Sequence, residues 1–346
     1  MSPEPTLQNP LRCAVIGLGM GRFHASTLRR FSSAHLAAVV DQRPDRLEEF
    51  AKKPDPPECF TDYREMIRKI QPELVIVALP NVLHLPVTRD ALAAGAHVLC
   101  EKPAALSVAE AEAMRDAAEA AGRQLGINFS QRFGPAARAL KKWVDEGAMG
   151  EIYHTYCSWT RRDGFPRFGG WFGQKALSGG GPLIDLGVHR LDLCLWLMGH
   201  PRVVSVSGMA HGKIGIPRAA EAGLEFDVED FATGLVRFEN GASLIFEVSW
   251  AGHQREAETS RLRIMGTKAT LEQVGARTCR HTTRDSVFCT TEMDFSRKEA
   301  LTSVEEMVEC VRNGVPFPGS IAHGIAVQKI LDGLYASAAS GREVTF

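Results

Sequence analysis

Short apolar runs alternate with longer amphipathic stretches through the first third of the chain. Five runs follow one another, each apolar almost throughout: "CAVIGLG", "LAAVVD", "LVIVALP", "HVLCEKP" and "QLGINFS". Helical stretches lie near residues 22–31, 44–52, 63–70, 84–94 and 108–121. Strands that are apolar on both sides and separated by helices form a parallel sheet covered on both faces. The pattern therefore predicts α/β architecture with an N-terminal Rossmann domain, a doubly wound parallel sheet.

The character of the sequence changes after about residue 130. A helical segment is followed by a loop rich in Gly, Arg and aromatic residues, and then by an apolar helix, "PLIDLGVHRLDLCLWLMG". Residues 202–210, 230–252 and 261–272 indicate strands joined by tight turns, with "ENGA" as a hairpin signal. We therefore expect a C-terminal α/β domain with a large, mainly antiparallel open sheet.

The length of 346 residues exceeds that of a single hydrophobic core, so two domains are expected. We place the first domain, which carries the parallel sheet, at residues 1–130 and the second, which carries the open sheet, at residues 131–346. The chain closes with two helical stretches, Ser303 to Arg312 and Ile321 to Ser340, which can pack back on the first domain.

Composition excludes several classes of partner. With 40 basic and 41 acidic residues the net charge is -1, which gives a polyanion such as nucleic acid nothing to bind. The beginning, "MSPEPTLQNP", does not resemble a secretory signal, and no apolar run reaches the roughly 18 residues that span a membrane. The eight cysteines form no C-x-x-C pair or zinc-like cluster. We expect a cytoplasmic protein with reduced thiols, no metal site and no membrane or nucleic-acid partner.

The turn after the first apolar run carries glycines at Gly17, Gly19 and Gly21. The dinucleotide fingerprint G-x-G-x-x-G would place its third glycine at Arg22. Glycines let the backbone approach a pyrophosphate, and the following helix offers free N–H groups. We expect Gly19, Met20 and Gly21 to present backbone to the pyrophosphate. The alternative is a glycine-rich turn without a ligand.

An acidic residue ends the second apolar run. Asp41 lies 24 positions after Gly17, where a carboxylate accepts hydrogen bonds from the adenosine ribose hydroxyls and repels a 2′-phosphate. This favours NAD over NADP, although Arg43 nearby weakens the preference.

Polar residues follow two later apolar runs. Pro80, Asn81 and His84 follow one, and Glu101 and Lys102 follow the next. Ligands of open parallel sheets bind beyond the carboxyl ends of the strands, so these groups suit the nicotinamide half of a dinucleotide and a substrate hydroxyl. The alternatives are a helix cap at Asn81 and a plain polar strand end at Glu101 and Lys102.

The apolar helix contains an acid and a histidine four positions apart. On an α-helix Asp185 and His189 project from the same face. Such a pair supplies a base near neutral pH, as removing an alcohol proton requires. The alternatives are a core histidine and two ligands of a metal that lacks an obvious third.

Several motifs in this order resemble one family. "GLGMG", Asp41, "PNVLH", "EKP", "NFSQRF", "GGGPLIDLGVHRLD" and "GLYASAASGREV" are similar to the glucose-fructose oxidoreductase, inositol dehydrogenase and rhizopine-catabolism superfamily, Gfo/Idh/MocA. The resemblance covers residues 11–344 and implies a Rossmann domain followed by an α/β domain whose open sheet often mediates oligomerisation. It thus implies an NAD(P)-binding domain at residues 1–130 and a substrate-binding and oligomerisation domain at residues 131–346. A homo-oligomer, a dimer or tetramer, is therefore expected. The glycine turn is one residue shorter than the usual form.

The resemblance also implies roles for individual residues. Lys102, Asp185 and His189 match the catalytic group, and Asn81, His84 and Glu101 match positions that line the nicotinamide ribose. The implied reaction transfers hydride between a secondary alcohol of a sugar, polyol or cyclitol and NAD, with His189 as general base. The family also contains glycosidases that use NAD transiently. A glycoside-cleaving enzyme and a catalytically silent NAD-binding regulator therefore remain alternatives.

The substrate is less defined by the sequence. The segment from Tyr156 to Gly173 supplies aromatic rings that could cover a sugar face and arginines that could bind its hydroxyls or a carboxylate. From this segment Arg162, Trp171 and Phe172 are the substrate-binding candidates, together with Arg132. The alternative is a surface loop that packs on the second domain or on another subunit.

Overall fold

Six parallel strands form the first sheet of the computed structural model, which describes residues 9–295 and 300–346. The strands are β1 (Leu11–Ile16), β2 (Ala34–Val40), β3 (Glu58–Phe60), β4 (Leu74–Val77), β5 (His97–Cys100) and β6 (Leu125–Ile127). Helices between them are α1 (Gly21–Arg30), α2 (Pro44–Ala51), α3 (Tyr63–Ile70), α4 (His84–Ala93) and α5 (Val108–Ala121). The strand order β3-β2-β1-β4-β5-β6 is that of a Rossmann fold.

Alternate residues of these strands enter two separate apolar clusters, one on each face of the sheet. Val15 and Ile76 pack toward α1, whereas Ile16 and Val77 pack toward α4 and α5. Burial on both faces explains why the strands lack a polar side. Strand β3 was missed in the sequence because only Phe60 of its three residues is buried, so it forms no apolar run. The strand order reverses between β1 and β4, so a crevice opens beyond their carboxyl ends.

Nine strands form the second sheet. They are β7 (Ile152–Arg161), β8 (Val203–His211), β9 (Phe231–Phe238), β10 (Ser243–Ser249), β11 (Glu258–Gly266), β12 (Thr270–Val274), β13 (Arg277–Arg284), β14 (Val287–Met293) and β15 (Val344–Thr345). Their order is β14-β13-β12-β11-β7-β10-β9-β8-β15. Neighbours are antiparallel except β7 and β10, which run parallel and end at the same edge. The predicted loop 156–173 is therefore wrong at its start, because residues 156–161 belong to β7.

The remaining helices lie before, within and after the second sheet. They are α6 (Pro135–Asp145), α7 (Lys175–Ser178), α8 (Val188–Leu197), α9 (Gly215–Glu221), α10 (Ser303–Asn313) and α11 (Ile321–Ser340). One π-helical turn, Leu183–Gly187, precedes α8 directly. Glu229 accepts hydrogen bonds from the N–H groups of Gly181 and Leu183 and so anchors the start of this turn.

The two closing helices contact the first sheet. Val304 and Val308 of α10 share an apolar cluster with Leu28 of α1, and α11 packs along α5 and β8. The N–H of Ile127, in the last strand of the first sheet, donates to the carbonyl of Gly319. Along the described residues, no helix has both the length and the apolar character to cross a membrane.

Candidate active site

The three glycines after β1 differ in what surrounds them. Gly17 has φ +89°, and a Cβ there would lie 2.3 Å from the carbonyl oxygen of Ala78. A Cβ on Gly21 would come within 2.8 Å of a β1 side chain. A Cβ on Gly19, in contrast, would meet nothing nearer than an Arg46 nitrogen at 3.9 Å. Internal packing thus requires glycine at two positions, whereas Gly19 borders open space, where a ligand needs close backbone approach.

The first turn of α1 faces the same space. Its amino end begins after Met20, whose side chain is exposed, and no side chain of the described residues caps it. An uncapped helix start leaves N–H groups and a positive dipole end available to an anion. Together with Gly19 this backbone fits a pyrophosphate.

Asp41 is buried at the end of β2 beside the glycine turn. Its carboxylate accepts hydrogen bonds from the N–H of Leu18 at 2.7 Å, the N–H of Arg43 at 2.9 Å and Arg46 Nη1 at 3.0 Å. Burial raises the pKa of Asp41, but the hydrogen bonds from Arg43, Leu18 and Arg46 outweigh burial and leave the pKa lowered. The carboxylate is therefore ionised. It retains acceptor capacity, since two oxygens offer about four lone pairs.

The segment after β4 connects the two parts of the chain. Asn81 follows the half-buried Pro80 and is itself buried, and its Nδ2 donates to the carbonyl of Ser178 at 2.7 Å. The amide therefore holds the short helix α7 against the carboxyl edge of the first sheet.

His84 is fully buried at the start of α4. Its Nδ1 lies 2.9 Å from the carbonyl oxygen of Pro103 and its Nε2 lies 3.0 Å from that of Leu79. Burial lowers its pKa. Because both ring nitrogens contact carbonyls of the protein, His84 joins the loops after β4 and β5, in contrast to the sequence-based expectation of a group lining the cofactor.

Glu101 lies in a polar network at the end of β5. His24 Nε2 is 2.6 Å from Glu101 Oε1, and Asn128 Nδ2 donates to the same oxygen at 2.7 Å. Ser303 Oγ donates in turn to Asn128. Burial raises the pKa of Glu101, but His24, Lys102 and Asn128 outweigh it and lower the pKa to about 2. His24 was missed in the sequence because nothing local ties α1 to β5.

Lys102, the next residue, reaches across to the π turn. Its Nζ donates to Asp185 Oδ1 and to the Asp185 carbonyl oxygen, each at 2.9 Å. The other carboxylate oxygen, Oδ2, accepts from Trp250 Nε1 at 3.0 Å and lies 3.9 Å from Arg161 Nη1. Burial raises the pKa of Asp185, but Lys102 and Trp250 outweigh it and leave the pKa lowered. The structure thus brings together Lys102 and Asp185, two members of the group that the family resemblance implies.

His189 lies one turn further on, at the start of α8. Its ring centroid is 6.1 Å from that of Trp159, and its Nδ1 is buried with no hydrogen-bond partner within the described parts of the chain. Burial, followed by the charge of Lys102, lowers the pKa of His189 to about 3. Asp185 is engaged by Lys102 and Trp250, and the π turn replaces the α-helical spacing from which a direct Asp185–His189 contact was expected.

One substrate-binding candidate is wrong. Arg132 is 2% exposed and makes a bidentate ion pair with Asp192, while its third nitrogen contacts the carbonyl of Pro318 and the His323 ring. All its donors face the protein interior. An arginine of this kind joins elements and offers no donor to a substrate.

Arg161 ends β7, and Arg162, a predicted substrate-binding residue, follows it directly. Successive residues of a strand point to opposite faces, so Arg161 faces Asp185 and Glu258, whereas Arg162 is exposed. Trp171 and Phe172 form a close ring pair, with centroids 4.0 Å apart, in the turn before α7. Both rings are half-buried, and α7 touches the loop at Asn81.

A dinucleotide site is defined by three features: a strand order of the Rossmann type, a glycine turn with open space at Gly19, and an ionised Asp41 beside that turn. Lys102 and Asp185 border the opposite end of the same carboxyl edge. The fold and these groups define an NAD-binding oxidoreductase.

Comparison with known proteins identifies the family. Residues 11–129 match the profile described as "Oxidoreductase family, NAD-binding Rossmann fold", and residues 137–272 match the "GFO/IDH/MocA C-terminal domain". The chain belongs to the Gfo/Idh/MocA superfamily of oxidoreductases.

Individual relatives are similar over most of their length. D-glucoside 3-dehydrogenase of Escherichia coli (strain K12) is 33% identical over 345 residues, covering 97% of each chain. scyllo-Inositol 2-dehydrogenase (NAD(+)) of Bacillus subtilis (strain 168) is 29% identical, covering 89% of this chain and 88% of that protein. The crystal structure of GenD2 from gentamicin A biosynthesis, in complex with NAD, superposes with a TM-score of 0.81 at 26% identity, covering 100% of this chain and 99% of that one.

Proposed function

We propose that this protein oxidises a secondary alcohol of a sugar, polyol or cyclitol, with NAD as hydride acceptor. The observation that carries the proposal is the contact between Lys102 and Asp185 at the carboxyl edge of the Rossmann sheet, next to the unpartnered Nδ1 of His189. Relatives named as dehydrogenases of a D-glucoside and of scyllo-inositol support this substrate class.

The residues of the first sheet would hold the cofactor. The backbone of Gly19, Met20 and Gly21 suits the pyrophosphate, and Asp41 suits the adenosine ribose. Glu101 and Asn81 border the nicotinamide side. The ionised Asp41 disfavours a 2′-phosphate, which supports NAD over NADP, while Arg46 partly offsets its charge. When bound, NAD supplies an acceptor for the hydride that leaves the alcohol carbon.

Three side chains would handle the alcohol. His189 is neutral and so can accept the hydroxyl proton as general base; the burial that lowers its pKa by itself makes it a weaker base. Lys102 donates to the same oxygen and stabilises the negative charge that develops as the proton leaves. Asp185 holds the ammonium of Lys102 in place and favours the imidazolium by its charge.

An activity screen tests the proposal. Purified protein is incubated with NAD and a panel of D-glucosides, aldoses and inositols, and absorbance of NADH is followed. Lys102→Met and His189→Gln should each lower kcat by about 10²- to 10⁴-fold, with the Kd of NAD little changed. Lys142→Met serves as the matched control, because this exposed lysine pairs with Glu146 on the surface of α6. Turnover in both active-site variants equal to that of the unaltered protein would refute the assignment.

The same screen separates the alternatives. A glycoside-cleaving enzyme would release product without net NADH, and a silent regulator would bind NAD but convert nothing in the panel. Binding of NADP tighter than that of NAD by the unaltered protein would contradict the role given to Asp41.

A further inference from the structure

A fully buried tryptophan donates to the carboxylate of the active site. Trp250 directly follows β10, and its Nε1 lies 3.0 Å from Asp185 Oδ2. A buried indole N–H finds a hydrogen-bond partner as a rule, and a charged acceptor gives the stronger bond. Here the partner is the group that holds Lys102.

The chain around Trp250 fixes the indole. Its backbone N–H donates to the carbonyl of Asp230 at 3.0 Å. The rings of Phe165 and Phe226 pack on it with centroids 6.4 and 6.2 Å away. Since neither backbone nor ring is free to shift, the position of the N–H is set independently of Asp185.

The carboxylate of Asp185 has two competing cations. Lys102 binds Oδ1 at 2.9 Å, and Arg161 lies 3.9 Å from Oδ2, on the side where the indole also donates. Arg161 ends β7, the parallel neighbour of β10, so the arginine and the tryptophan reach Asp185 from adjacent strand ends. Loss of the indole N–H would leave Arg161 as the nearest donor group to Oδ2.

We propose that Trp250 is a positioning residue that holds Asp185 on Lys102 and away from Arg161. This inference rests on the proposed function, because Asp185 matters to turnover only if Lys102 and His189 act on the alcohol. The role proposed for the indole does not involve cofactor binding. Its effect is confined to the geometry and ionisation of one carboxylate.

Trp250→Phe removes the N–H and keeps an aromatic ring in the buried space. We expect kcat to fall about tenfold, the scale of a lost hydrogen bond to a charged group, with the Kd of NAD unchanged. The acidic limb of kcat/KM against pH should move to higher pH, because an indole donor favours the ionised carboxylate. The other charged or titratable groups that face Asp185 are Lys102, Arg161 and His189, and all three remain in the variant.

Phe226→Leu is the matched control. It perturbs the packing around the indole but leaves the N–H on Asp185. We expect a lower Tm with the acidic limb at its original pH. If Trp250 only fills space, both variants will lower Tm and neither will move the limb, which contradicts the proposal.

A crystal structure of Trp250→Phe tests the positioning of Asp185 without an activity measurement. The expected result is an Asp185 carboxylate turned toward Arg161, with its contact to Lys102 beyond hydrogen-bonding distance. A carboxylate that keeps the Lys102 contact unchanged would overturn the inference. An inactive unaltered protein would count against the proposed function alone, since this readout does not depend on turnover.

Discussion

The surroundings of His189 give it a different pKa from the one that its sequence motif suggests. A D-x-x-x-H spacing implies an imidazole tuned near neutral pH by a carboxylate. In the structure the carboxylate is taken up by Lys102 and Trp250, and burial is the larger influence on His189. His189 is therefore neutral through the whole physiological range.

We expect His189 to titrate far below an ordinary histidine. Burial and Lys102 lower its pKa to about 3 from 6.5, so the neutral form persists at all pH values above the lowered pKa. Histidine NMR resonances, with His189 assigned by its loss in His189→Gln, should show no titration of this ring between pH 5 and 8. A midpoint for His189 near 6.5 would contradict the expected lowering of its pKa by burial and Lys102.

Site residues could be predicted from the sequence where a local motif contains them, but not where only a tertiary contact brings them to the site. Asp41 and Lys102 follow apolar runs, and the strand ends they mark could be read from the sequence. His24 and Trp250 reach the site from α1 and β10, and no local pattern links those elements to it. Arg132 carries the right chemistry for a substrate, but its bidentate partner Asp192 lies 60 positions away in the chain.

At the scale of elements, the glycine turn performs the fingerprint's three tasks with one residue fewer. Gly17 makes the turn, Gly19 borders the open space, and Gly21 permits close packing of α1 on β1. The spacing of the fingerprint G-x-G-x-x-G places its third glycine at Arg22. In the structure, however, Gly21 is the residue whose missing side chain lets α1 pack closely on β1.

Two alanine substitutions should separate these tasks. In Gly21→Ala the new Cβ would come within 2.8 Å of Val15, so the free energy of unfolding should fall by about 1–3 kcal/mol. In Gly19→Ala the Cβ has room, so stability should stay within about 0.5 kcal/mol while the Kd of NAD rises about tenfold or more. Urea unfolding and fluorescence titration with NADH measure the two quantities. Equal NADH affinity in Gly19→Ala and the unaltered protein would remove Gly19 from the cofactor site.

Elements with strong periodicity were predictable and those shaped by their neighbours were not. The five apolar runs and their helices match β1, β2, β4, β5, β6 and α1 to α5. The amino-terminal half of β7 carries residues such as His154 and Tyr156 that do not alternate clearly, and its parallel pairing with β10 is a tertiary property. The π turn before α8 likewise cannot be distinguished from α-helix by composition, since the two differ by one residue in hydrogen-bond register.

At the scale of the whole molecule, the chain crosses between its two sheets several times. Helix α10 covers one face of the first sheet, and α11 packs on both α5 and β8. Arg132 follows the last strand of the first sheet. It binds Asp192 of α8 and donates to the carbonyl of Pro318, in the segment that leads into α11. The carboxyl edge that carries Lys102 is thereby held against the π turn that carries Asp185.

The second sheet has one face covered by helices and one that carries exposed apolar side chains. Four apolar residues of adjacent strands lie on this second face: Met209, Leu235, Ile245 and Tyr156. Leu235 and Tyr156 both pair with Ile245. Met209 pairs with Thr233, which lies two residues from Leu235 and so on the same face. Met209 is 59% exposed and Ile245 is 39% exposed. Contiguous exposed apolar surface of this kind marks an interaction site. The face is where the homo-oligomer expected from the family resemblance would form.

Ile245→Arg should therefore dissociate the oligomer without unfolding the chain. A charge at the centre of a self-associating face would be buried twice in a symmetric pair, once from each copy, and its desolvation would oppose association. Light scattering coupled to size exclusion should give the mass of one 37.8 kDa chain for the variant and a multiple of it for the unaltered protein. Val315→Arg changes an exposed apolar residue before α11, away from this face, and should retain the original mass. If Ile245→Arg keeps the mass of the unaltered protein while its circular dichroism is unchanged, association occurs elsewhere or the chain acts as a monomer.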